Sequence, residues 1–82
     1  QPENRYTVGI RITAYDRAGL LNDITHVFSL AGVNVRAVNT RTDEEDNLAY
    51  MQIVTEISDL NQLLQVLNRV SQIPSVIEAG RE

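Results

Sequence analysis

Apolar and polar side chains alternate along the first stretch of the chain. Tyr6, Val8, Ile10, Ile12 and Ala14 fall on one side, and Thr7, Gly9, Arg11 and Thr13 on the other. A two-residue period of this kind marks a strand with one buried face. The run Tyr15-Asp16-Arg17-Ala18-Gly19 breaks it. A helical period follows, in which Leu20, Ile24, Val27, Phe28 and Ala31 share one stripe, widened by Leu21 and Leu30. Asn22, Thr25, His26 and Ser29 take the opposite side, and Gly32 stands where a left-handed C-terminal cap is expected. Val33 to Arg41 reads as a second strand. A charged turn, Thr42 to Asn47, separates it from a third, Leu48 to Ile57, with Ala49, Met51, Ile53, Thr55 and Ile57 on one face. So short a connection predicts an antiparallel hairpin.

Ser58-Asp59 opens the second helix, and Asp59 with Gln62 three positions on has the form of a capping box. Leu60, Leu63, Leu64, Val66, Leu67 and Val70 form its expected buried stripe. Pro74 ends it, for want of an N–H. Ser75 to Gly80 reads as a short last strand. The order is β-α-β-β-α-β, with no internal boundary. It predicts an α+β, ferredoxin-like sandwich: a four-stranded antiparallel sheet with both helices on one face. Val8, Ile10, Ile12, Met51, Ile53 and Ile57 would face the helices. Arg11, Thr13, Tyr50, Gln52, Val54 and Glu56 would line the open side. Residues 1–5 are polar and contain Pro2, and read as the end of a linker; residues 6–81 form the domain.

Composition narrows what this domain does. It has 82 residues, 43% of them apolar, a formal charge of −4 and no cysteine. Disulfides, zinc-thiolate sites and thiol nucleophiles are excluded. No apolar run approaches the ~20 residues of a membrane span, so no membrane partner is expected. The chain begins with Gln1 and carries no signal peptide, so a segment of a longer protein is expected. All seven basic residues are arginine, against eleven acidic ones. That balance lacks the cationic field of a free-standing nucleic-acid binder. The absence of lysine removes Schiff-base chemistry. A domain so small, with no staple, is expected to associate.

Candidate chemistry is sparse. Base stacking on the open sheet would need several aromatics, and only Tyr50 sits centrally there. Arg17 before the first helix could draw a small phosphate, but one glycine does not make a cradle. His26 points outward, with Asp23 at helix-surface spacing. The Asp43 to Asp46 turn lacks the glycine and terminal glutamate of a calcium loop. No catalytic residue, metal or cofactor is expected. The informative segment is Asp16 to Thr25. Asp16 either caps the helix or accepts a ligand ammonium; Gly19 either turns the chain or lets a ligand approach closely. Asn34, just after the helix, can both donate and accept, as an amino-acid ligand requires.

The order of elements, the DRAGLL run from Asp16 to Leu21, and Ala31-Gly32-Val33-Asn34-Val35 at the start of strand two resemble an ACT domain, a small ligand-binding regulatory module. DRAGLLNDIT from Asp16 to Thr25, VNVRAVNTR from Val33 to Arg41 and IPSVIEAGR from Ile73 to Arg81 resemble, more narrowly, the C-terminal ACT domain of RelA/SpoT-type GTP pyrophosphokinases. The resemblance implies a non-catalytic domain that senses amino-acid status and controls synthesis or hydrolysis of (p)ppGpp in the stringent response. It implies as partners a homodimer, the rest of a parent GTP pyrophosphokinase and, through it, the ribosome and uncharged tRNA. It implies a ligand site at Asp16, Arg17, Ala18, Gly19, Leu20, Asn34 and Val35. Amino-acid-binding ACT domains often carry asparagine where Asp16 stands, histidine where Ala14 stands and proline where Ala18 stands. The carboxylate of Asp16 suits an ammonium, and Ala14 with nearby valines suits an apolar side chain; the resemblance implies a branched-chain amino acid as the ligand, as in some relatives. The alternative parent is an amino-acid biosynthetic enzyme.

Overall fold

The computed structural model describes residues 5–82, so Gln1 to Asn4 of the expected linker end lie outside the described residues. Four strands and two helices follow in the predicted order: β1 Tyr6–Tyr15, α1 Leu20–Leu30, β2 Asn34–Asp43, β3 Leu48–Ile57, α2 Leu60–Ser71 and β4 Val76–Arg81. The sheet is antiparallel, in the order β2-β3-β1-β4. The two long central strands pair in full, from Tyr6 opposite Ile57 to Tyr15 opposite Leu48.

The alternation in β1 and β3 builds the core. Val8, Ile10, Ile12 and Ala14 point to the same side as Ala49, Met51, Ile53, Thr55 and Ile57, and all are buried. Leu20, Ile24 and Phe28 of α1 and Leu63, Val66 and Val70 of α2 cover them. Each such side chain contributes roughly 1.5–3 kcal/mol when taken from water. Thr55 is the one buried polar residue among those described. Its hydroxyl donates to the Val8 carbonyl at 3.0 Å, so burial leaves no orphaned group.

The helices bury narrower stripes than expected. Leu21 and Leu30, which by spacing widen the α1 stripe, are 42% and 65% exposed. Leu60 and Leu64, which by spacing fall on the buried stripe of α2, are 62% and 61% exposed. A helix lying on one sheet presents only one arc to it; side chains at the flanks of that arc stay in solvent.

Local rules fix the joints. Gly32, at φ +75°, closes α1: its N–H donates to the Ser29 carbonyl, and the Val33 N–H donates to that of Phe28. Val33 thus belongs to the helix closure, and β2 begins one residue later than expected. At the start of α2, Asp59 Oδ1 accepts from the Gln62 N–H at 2.9 Å, and Gln62 Oε1 accepts from the Ser58 N–H at 2.7 Å. Gln62 Nε2 also donates to the Ala31 and Gly32 carbonyls, at 3.1 and 3.2 Å. One side chain therefore ties the end of α1 to the beginning of α2. Two irregularities break the ladders. Arg36 is an extra residue in β2 between Val35 and Ala37, and β4 shifts register opposite Thr13 and Ala14.

Candidate functional site

The loop from Asp16 to Gly19 joins the end of β1 to α1 and is held from three directions. Asp16 N–H donates to the Asn47 carbonyl at 2.9 Å, and Asn47 Nδ2 donates back to the Asp16 carbonyl at 3.3 Å. Tyr15 N–H donates to the Ser75 carbonyl at 2.8 Å. Arg17 lies across the loop: Nε donates to Ser75 Oγ at 3.1 Å, Nη1 to the Ala18 carbonyl at 3.1 Å, and Nη2 to Asp23 Oδ2 at 2.7 Å. The β2–β3 hairpin, the chain before β4 and the first turn of α1 all grip one short segment. Asn47 adopts φ +57°, a left-handed conformation that asparagine tolerates better than most residues.

Asp16 does not cap α1. Gly19 is the residue at the helix start, at φ +79°, and no side chain caps it. Leu20 is buried in the core, whereas Asp16, Arg17, Ala18 and Gly19 are exposed. The Asp16 carboxylate makes no hydrogen bond or ion pair among the described residues. This corner therefore combines an uncapped helix start, whose N–H groups favour negative charge, with an unpaired carboxylate, which favours positive charge. A zwitterion has both. Arg17 is already occupied by Asp23, which removes the reading of Arg17 as a free phosphate-drawing cation.

Asn34 lies elsewhere. It pairs with Glu56, at the end of the sheet where β1 begins, while Asp16 follows the end of β1 beside the hairpin. Within one copy the two are separated by most of a ten-residue strand, roughly 30 Å. Asn34 Nδ2 donates to Glu56 Oε1 at 3.3 Å, and Glu56 Oε2 accepts from Arg36 Nη1 at 2.8 Å, with Arg5 Nη1 at 3.8 Å from Oε1. Val35 is half-buried against the core. The structure thus brings Asp16, Arg17, Ala18, Gly19 and Leu20 together and keeps Asn34 and Val35 apart from them.

His26 is exposed on α1, and the Asp43–Asp46 turn forms the hairpin tip, where Asp43 Oδ1 accepts from the Glu45 and Asp46 N–H groups. Among the described residues no three metal-ligating side chains cluster, and no helix is long and apolar enough to cross a membrane. The sequence reading missed Asn47 and Ser75, which hold the corner. The only local signal was an asparagine closing a turn. Two concavities lie away from the corner. A groove of about 740 Å³ runs between the starts of β1 and α2, past Tyr6, Val8, Ile57, Leu60 and Arg81. A smaller hollow of about 310 Å³ lies on the open face of the sheet.

The order β-α-β-β-α-β, with both helices on one face of a four-stranded antiparallel sheet, defines a ferredoxin-like class of small domains. Residues 2–81 match the ACT domain family, and the chain belongs to it. Within that family, the chain is similar to RelA/SpoT-type enzymes: it is 41% identical over 76 residues to the GTP pyrophosphokinase of Escherichia coli K12, a match covering 93% of this chain and 10% of that one. The chain therefore spans about 10% of the length of the curated relatives it matches. Its fold is that of the crystallised ACT domain from the GTP pyrophosphokinase of Chlorobium tepidum, with a TM-score of 0.82 at 22% identity, covering 96% of this chain and 100% of that one. A homoserine dehydrogenase from Thiobacillus denitrificans contains the same fold, with a TM-score of 0.78 at 17% identity over 96% of this chain and 17% of that one.

Proposed function

We propose that this domain is the non-catalytic regulator of a RelA/SpoT-type GTP pyrophosphokinase, reporting amino-acid status to a parent that makes or hydrolyses (p)ppGpp in the cytoplasm. The observation that carries this reading is the 41% identity to such an enzyme across 93% of the chain. Contacts with the ribosome and uncharged tRNA belong to the same reading and would run through the parent.

The ligand in this reading is a branched-chain amino acid held between two copies of the domain. Its ammonium faces the unpaired Asp16 carboxylate, and its carboxylate faces the uncapped amides of α1. β2 is an edge strand. Antiparallel pairing of two β2 edges would carry Asn34 and Val35 of one copy toward the Asp16–Gly19 corner of the other. The residues that one copy keeps roughly 30 Å apart, by the strand rise, then meet across a twofold axis. A ligand seated there alters the parent only through a difference in affinity between its two states.

Calorimetry with valine, leucine and isoleucine, together with sedimentation at micromolar concentration, tests the reading. A dimer that releases or absorbs heat with one of the three, and loses that heat in Asp16→Ala, supports it. A strict monomer with no heat from any of them sinks the ligand site. The likeness in fold to a homoserine dehydrogenase favours a second parent, an amino-acid biosynthetic enzyme. The coding sequence upstream of this segment separates the two: a nucleotidyltransferase-like region supports the first and a dehydrogenase the second.

A further inference from the structure

The open face of the sheet carries charge in an uneven way. Two of its carboxylates are engaged, Glu56 with Arg36, Arg5 and Asn34, and Glu82 with Gln52 Nε2 at 2.8 Å, whereas Glu78, opposite Thr13 on β4, lies toward the other edge of the sheet from Arg41. Arg11 and Arg41 have no ion pair among the described residues, although the chain holds more acidic than basic side chains. Register brings these two together. Asn39, Gln52 and Arg11 form one row across β2, β3 and β1, and Arg41, Tyr50 and Thr13 form the next. The hollow of about 310 Å³ lies where these rows meet, lined by both arginines, both carboxamides and Tyr50. Within it the Arg41 guanidinium carbon lies over the Tyr50 ring, 4.8 Å from its centroid.

We propose that this hollow binds a nucleoside diphosphate. Two unpaired planar guanidinia, each able to grip two oxygens at once, match a diphosphate better than a single carboxylate. The cation–π contact with Tyr50 holds the Arg41 guanidinium over the hollow, where it can also meet the face of a base. The Asn39 carboxamide, beside it on the same strand face, offers a donor and an acceptor to the edge of that base. The volume is at the lower end of small-molecule sites, which suits one nucleotide lying partly in solvent. Charge in the hollow opposes the −4 of the chain as a whole, so attraction is local and weakens with salt. This site lies on the sheet face away from the helices, and it stands or falls independently of the amino-acid site at Asp16.

The test uses the 82-residue chain, with NMR amide shifts and calorimetry on addition of GDP, citrate and a short oligouridylate. GDP is expected to shift the amides of Asn39, Arg41, Tyr50 and Gln52 saturably. The double variant Arg11→Ala with Arg41→Ala should bind GDP at least tenfold more weakly while keeping its circular dichroism spectrum. Arg11→Lys with Arg41→Lys, which keeps the charge and loses the planar fork, should weaken binding at least threefold and covers the case where the alanine pair does not fold. The inference is overturned by no shift at millimolar GDP, by unchanged affinity in the lysine pair, or by citrate shifting the same amides as strongly. Tighter binding of the oligouridylate than of GDP on this face overturns it as well, in favour of a nucleic-acid surface.

Discussion

The two helices begin in opposite ways. Asp59 starts α2 in extended backbone, at φ −157°, and its side chain caps the Gln62 N–H. Gly19 starts α1 at φ +79° with no capping side chain at all. Both helices have the same task of covering one sheet, so packing does not explain the difference. The surroundings do. The start of α2 caps itself: Ser58, Asp59 and Gln62 satisfy each other within one turn, and Gln62 also reaches the end of α1. The start of α1 is positioned from outside by Asn47 and Ser75, so its amides can remain uncapped beside Asp16. The closed start is capped by its own side chains, and the open one leaves its first turn without a side-chain cap.

Substitutions at the two starts test that division. The largest effect is expected for Gly19→Val, which forces a β-branched residue into left-handed backbone and should cost about 2 kcal/mol. A thermal melt should register this as a fall of roughly 10 °C for a domain of this size. Gln62→Ala removes the acceptor for Ser58 and both donations to the end of α1. Urea unfolding should show a loss of about 1.5 kcal/mol. Asp59→Ala should cost about 1 kcal/mol in the same measurement, the usual worth of such a cap. Arg17→Ala breaks an exposed pair with Asp23, for about 0.5 kcal/mol, and greater amide-hydrogen exchange should be confined to the loop. Asp16→Ala should move the urea midpoint least, by less than about 0.5 kcal/mol, because its carboxylate holds nothing in place. A cost for Asp16→Ala equal to that of Asp59→Ala would erase the contrast between the two starts.

Much of the fold was legible because two periods repeat cleanly. β1 and β3 alternate without interruption, so Ile10, Ile12, Met51 and Ile53 could be placed on the covered face from sequence alone. Gly32 and Asp59 act through neighbours a few residues away, and local rules found both. Leucine was the weak point. Leu21, Leu30, Leu60 and Leu64 are as apolar as their buried neighbours, and only the width of the contact with the sheet decides that they stay outside. The candidate corner was half legible. The run from Asp16 to Leu20 is contiguous and could be found as a unit. Its grip by Asn47 and Ser75, 31 and 58 positions from Asp16 and Arg17, depends on which strands lie side by side. The separation of Asn34 from Asp16 follows from the direction of α1, since the helix carries the chain from one end of the sheet to the other.

The bulge in β2 has a bearing on strand length. Val35 and Val38 both turn toward the core although an odd number of positions separates them, because Arg36 is a residue the pleat does not count. Removing it would restore plain alternation and leave every inward side chain inward. Losing one residue from β1 or β3 would instead turn the lining of the core to water. The rim of the sheet therefore has a tolerance for insertion and deletion that proteins ordinarily confine to their connecting loops, and Arg36, clipped to Glu56, is the residue at which it operates.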